Sequence, residues 1–149
     1  MKQEDKQLLL ADLCGRVPYH PKGYVANSST GAMCDEWLTC ATFPMFTNVT
    51  NNCRLYLRPM SSMTDDEAKE IAILHDIKDI LSVKVTSDYI DVIVDDGVCS
   101  TERRTIWYDE IVSSIKCFDW LNAHHFDFRN LIPMGLAIAV TEENNPYKE

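Results

Sequence analysis

Two adjacent histidines, His124 and His125, followed closely by Asp127, form the densest cluster of reactive side-chain types in the chain. Imidazole and carboxylate groups together can ligate zinc or move protons in acid–base catalysis. The spacing weighs against a shared ion, because neighbouring residues on a helix point about 100° apart. The simpler reading makes one histidine half-buried and places the other at a helix carboxyl end, where the helix dipole favours a positive ring. Trp120, Phe126 and Phe128 crowd the same segment, and Arg129 follows. Trp120 falls about 200° round the helix from Phe118, off the main apolar stripe, so it either packs beneath the segment that follows or faces a partner. Trp120, His124, His125, Phe126, Asp127, Phe128 and Arg129 are therefore the candidate binding residues. No catalytic residue, metal ligand or cofactor is assigned.

Other residue types give weaker leads. Asp88, Asp91, Asp95 and Asp96 lie on or beside an alternating stretch, and carboxylates at strand ends can hold magnesium. Asp91 and Asp95 share a face opposite Ile90, Val92 and Val94, but Ile93 interrupts that polar row, and solvent-facing acids are the default for a one-sided sheet. Six cysteines, at positions 14, 34, 40, 53, 99 and 117, contain no C-x-x-C pair, and the Cys34 to Cys40 gap exceeds a usual zinc knuckle. A cysteine nucleophile with His20, His75, His124 or His125 as base has no local signature that selects a pair. The chain lacks a Gly-rich phosphate loop, a G-x-S-x-G elbow and an H-E-x-x-H helix.

Composition bounds the partners. A chain of 149 residues with 46% hydrophobic and 25% charged content suits one globular domain. A net charge of -9 opposes general binding to nucleic acid, which gains free energy when Lys and Arg displace counterions. The same acidity fits either a solvated surface or mimicry of DNA against a basic protein. The charged start, Met1 to Lys6, lacks the apolar core of a signal peptide, and no window approaches a membrane span. A cytoplasmic protein with reduced cysteines and no membrane partner is expected.

The elements that must position these groups follow from periodicity. Asp5 to Cys14 reads as an amphipathic helix with Leu9, Leu10, Leu13 and Cys14 inward, stopped by Gly15 and Pro18. Arg16 to Gly31 is mostly loop. Glu36 to Phe43 and Cys53 to Leu57 suit two antiparallel strands around the polar Asn48–Val49–Thr50 loop. Thr64–Asp65–Asp66–Glu67 forms a capping box, and Ala68, Ile71, Leu74, Ile77 and Leu81 give the helix face behind it. Val83 to Val85 and Tyr89 to Asp95 alternate around Ser87–Asp88 as a β-hairpin. Arg104 to Trp107 suits another strand. A further helix buries Ile111, Ile115, Phe118, Leu121 and His125, Asp127 caps a short last helix, Leu136 to Val140 forms a final strand, and residues 141–149 fray.

Three blocks carry a resemblance: Asp5 to Cys14 with Pro18–Tyr19, Tyr56 to Thr64, and Asp119 to Arg129 through Leu131–Ile132 and Gly135 to Ala137. Together they resemble an uncharacterised family of small proteins from gut bacteria of the Bacteroides group, their phages and their mobile elements. Phage or mobile-element association is what that resemblance implies. Pro133 departs from the family, which carries a helix-forming residue there. The expectation is an α+β fold over residues 1–149 as a single domain, a small antiparallel sheet with two or three helices on one face. The expected role is a binding or regulatory accessory protein acting on a protein partner. A metal-dependent hydrolase or nuclease and an acidic DNA mimic are the alternatives.

Overall fold

The computed structural model describes residues 2–26, 30, 32–47 and 53–148, so the Asn48–Val49–Thr50 loop lies outside the described residues. The fold is mixed α+β with two small, mostly antiparallel sheets rather than one, and the chain divides into two compact units. One unit takes Met1–Pro59 together with Asn122–Glu149, and the other is the intervening Met60–Leu121.

The discontinuous unit begins with α1 (Gln3–Arg16), which buries Leu9, Asp12, Leu13 and Arg16. These positions follow the i, i+3, i+4, i+7 stripe of an amphipathic helix, but two of them are charged. Leu10 and Cys14, expected inward, are exposed. A single 3-10 turn through Pro18 then leads into β1 (Lys22–Ala26). Next come β2 (Met33–Trp37), the short α2 (Phe43–Thr47) and β3 (Arg54–Leu57). The second and third strands do not pair with each other: both run antiparallel to β1, which separates them in the order β2-β1-β3-β7, where β7 is Ala137–Ala139. Leu9, Leu13, Val25, Leu38, Phe46, Leu55, Leu57, Leu131 and Ala137 form its core.

Residues 127–135 form turns instead of the expected last helix. Pro133 lacks the amide a helix would need, and Asp127 caps the backbone without a helix following it. β7 then pairs parallel with β3, in register Leu55↔Ala137 to Leu57↔Ala139. Residues 141–148, polar enough to predict fraying, instead carry Tyr147 onto the sheet.

The inserted unit opens with the expected capping box: Glu67 N–H donates to Thr64 Oγ1 at 3.3 Å, and Thr64 N–H donates to Glu67 Oε2 at 2.8 Å. α3 (Asp65–Leu74) follows, burying Ala68, Ile71 and Ala72. The hairpin of β4 (Ile80–Val85) and β5 (Tyr89–Asp95) is closed by Thr86 N–H donating to the Tyr89 carbonyl at 3.0 Å, and β6 (Thr101–Trp107) completes the order β4-β5-β6. The single helix expected to bury Ile111, Ile115, Phe118 and Leu121 is two: α4 (Tyr108–Ser113) and α5 (Ile115–Ala123), broken where Ser114 adopts an extended ψ of 123°. The break resets the helical phase, so Ile111, Cys117 and Leu121 are buried while Ile115 is 80% exposed.

Gly23 sits where β1 crosses the core. A methyl there would overlap the Phe46 ring and lie 3.0 Å from the Arg54 carbonyl oxygen. Gly23→Ala is therefore expected to destabilise the protein by about 1–3 kcal/mol in urea denaturation, the usual range for overpacking. Adding Phe46→Leu should recover part of that loss; an Ala variant as stable as the parent would contradict this packing.

Candidate functional site

The buried charges of α1 organise the carboxyl-terminal segment that carries most of the candidate residues. Arg16 Nε donates to Asp12 Oδ2 at 2.7 Å, and both side chains are fully buried. Arg16 Nη2 donates to the Phe126 carbonyl at 2.7 Å, while Arg129 Nε lies 3.3 Å from Asp12 Oδ1. Phe128 receives two guanidinium groups, Arg16 at 4.9 Å and Arg129 at 5.4 Å from its ring centroid. Phe126 is fully buried under Arg58, whose guanidinium carbon lies 4.3 Å from that ring's centroid. The backbone closes the same region: Arg58 N–H donates to the His125 carbonyl and Asp127 N–H donates to the Arg58 carbonyl, each at 2.8 Å.

His125 takes a left-handed φ of 60° as the chain leaves α5, and its ring stacks on Tyr147 with centroids 4.4 Å apart. Burial, reinforced by the nearby Arg16 charge, pushes its pKa down to about 4. Its imidazole is thus neutral near pH 7, and its Nδ1 has no hydrogen-bond partner among the described residues. The Tyr147 hydroxyl accepts from Lys22 N–H at 3.0 Å and donates to the Tyr56 carbonyl at 2.9 Å, bridging β1 and β3 beyond their last paired residues. Burial raises its phenol above the usual range.

Asp127 is buried and committed to the backbone. Its two oxygens accept from Leu131 N–H and Ile132 N–H, both at 2.8 Å, so they fix the turn leading to β7. His125, Phe126, Asp127, Phe128 and Arg129 are therefore brought together, but into the framework of the discontinuous unit. His124, partly exposed, belongs to the same unit. Trp120 belongs to the inserted unit, where its indole Nε1 donates to Glu70 Oε2 at 2.9 Å.

The hairpin carboxylates divide. Asp91 is buried on the sheet face rather than solvated, accepting from Arg103 and from Thr105 Oγ1 across the neighbouring strand. The Arg103 hydrogen bond in particular holds its carboxyl below the usual carboxylate range. Asp96 accepts from Val98 N–H, Ser100 N–H and the Ser100 hydroxyl, organising the β5–β6 turn. All six cysteines are free thiols; burial pushes Cys53 up to about 12 and raises Cys117, which disfavours the thiolate at both. Among the described residues no three of His, Cys, Asp and Glu are placed to hold a metal ion.

The Asp12–Arg16 pair was absent from the candidates, although its signal was present: both residues occupy the inward frame set by Leu9 and Leu13. No family model, curated protein or solved structure matches the chain. Among the described residues, no helix is long and apolar enough to cross a membrane.

The depressed His125 pKa has a signed consequence. With a folded value of about 4 against an ordinary 6.5, protonation favours the unfolded chain. The contribution is intact above pH 6.5 and is lost as the pH falls toward 4. His125→Asn, which tolerates the left-handed backbone, should flatten this part of the stability profile by about 2 kcal/mol. Parallel pH profiles for the two proteins would contradict a partly buried, neutral His125.

Proposed function

We propose that the protein is a non-enzymatic binding or regulatory protein acting through protein–protein contacts, with its inserted unit engaging a basic partner. The partition of charge carries this reading. Met60–Leu121 holds six Lys and Arg against fourteen Asp and Glu, a net charge of -8, whereas the remaining residues hold eight against nine. Such a field steers a cationic surface toward the unit and speeds encounter. Trp107, 48% exposed and packed edge-on against Tyr89 with centroids 5.0 Å apart, adds an aromatic anchor of the kind that dominates interface energetics. An accessory role in a phage or mobile element accords with the resemblance carried by the three sequence blocks.

The same charge partition favours a second reading, mimicry of DNA toward a nucleic-acid-binding protein. The two readings share a basic partner and differ in whether duplex DNA competes for it. A metal-dependent hydrolase draws no comparable support, since His125 and Asp127 already serve the framework.

Affinity capture from an extract of the cells that encode the protein should retain a basic partner that raised salt releases. Replacing the exposed Asp66, Asp109 and Asp119 by Asn should weaken purified partner binding by about tenfold or more, with stability changed by less than about 0.5 kcal/mol. Displacement of the partner by duplex DNA would select mimicry. Binding insensitive both to salt and to these substitutions would refute the acidic surface as the interface.

A further inference from the structure

The outermost strand of the inserted unit's sheet is open along one edge. β6 pairs with β5 in uninterrupted register from Tyr89↔Trp107 to Asp95↔Thr101 and, among the described residues, has no strand on its other side. Residues 101–105 are all exposed, on both faces of the strand, and the strand contains neither proline nor bulge. Edges of this kind template further pairing unless something blunts them.

Hydrogen bonds at the two ends of β6 establish which backbone groups face outward. Asp96 N–H donates to the Ser100 carbonyl at 3.2 Å, and Tyr108 N–H donates to the Asp88 carbonyl at 3.1 Å. In an antiparallel ladder, hydrogen-bonded and non-hydrogen-bonded pairs alternate. The amides and carbonyls of Thr101, Arg103, Thr105 and Trp107 therefore point away from β5.

We propose that two copies of this chain pair antiparallel through β6, about a two-fold axis at Arg103, joining their three-stranded sheets into one. Charge complementarity selects this register. An axis at Glu102 or Arg104 would set that residue opposite its own like-charged copy at the close, non-hydrogen-bonded spacing. An axis at Thr105 would face Arg104 with Ile106. At Arg103, each Glu102 faces Arg104 of the other copy at the close spacing, and Thr101 meets Thr105 in a hydrogen-bonded pair. The two Arg103 side chains face each other only at the wider, hydrogen-bonded spacing, on the opposite sheet face, and each is neutralised by Asp91 of its own chain. Glu102 and Arg104 already lie 3.2 Å apart within one chain, so pairing would convert a local ion pair into an alternating row of charges.

Sedimentation equilibrium on the whole protein tests the pairing. The parent should dimerise with concentration, and Glu102→Arg and Arg104→Glu should each raise the dissociation constant about tenfold or more. Mixed in equal amounts, these two variants should form a heterodimer, because each supplies the charges the other lacks. Thr101→Pro removes an amide that points away from β5, so it should weaken the dimer while circular dichroism stays unchanged. A parent that remains monomeric through the high-micromolar range would overturn the proposal. So would a dimer for which the mixture is no stronger than either variant alone, since that dimer would use another surface.

Discussion

A guanidinium with no exposure to water is the constraint around which the discontinuous unit is arranged. Removing Arg16 from solvent carries a desolvation cost of several kcal/mol, offset only if its donors meet well-placed acceptors. Asp12 supplies the charge one helical turn away, and the Phe126 carbonyl supplies the second acceptor from a segment far along the chain. The pair therefore ties α1 to residues that return only after the Met60–Leu121 insertion. The rest of the closure follows from that return: the Arg58 backbone brackets His125 and Asp127, Asp127 turns the chain toward β7, and β7 pairs parallel with β3.

This arrangement explains why residues with reactive side-chain types need not make a reactive centre. His125 is held in a left-handed turn and stacked on Tyr147, where burial keeps it neutral. Asp127 spends both carboxylate oxygens on backbone amides, and Asp91 is the counter-ion of Arg103. Asp127 and Asp91 have the hydrogen-bond partners that a structural role requires, and His125 is held by its packing on Tyr147. Nearly all of the net charge falls in the Met60–Leu121 insertion, which also carries an exposed Trp107.

Local signals were legible where they sufficed to determine structure. The Thr64–Glu67 capping box and the Ser87–Asp88 hairpin are short-range devices, and both stand in the structure as their sequences predict. Strand order was not legible, because β1 is a five-residue piece in a turn-rich stretch and its insertion between β2 and β3 is a tertiary event. The long helix failed at Ser114, where no Gly or Pro marks the break. The frayed tail failed because one amphipathic residue, Tyr147, finds a place in the ladder that the surrounding polar composition does not reveal. Asp12 and Arg16 were legible only to a reader willing to let charges occupy the inward frame of α1.

Unfolding free energies for Asp12→Ala, Arg16→Met and the double variant test the central interaction most directly. Each single substitution strands a buried charge or an acceptor, so a loss of about 3–5 kcal/mol is predicted for each. The double variant should lose far less than the two losses combined, because neither charge of the pair is then left buried without the other. Single losses below about 1 kcal/mol, or strict additivity, would show that the unit does not depend on this pair.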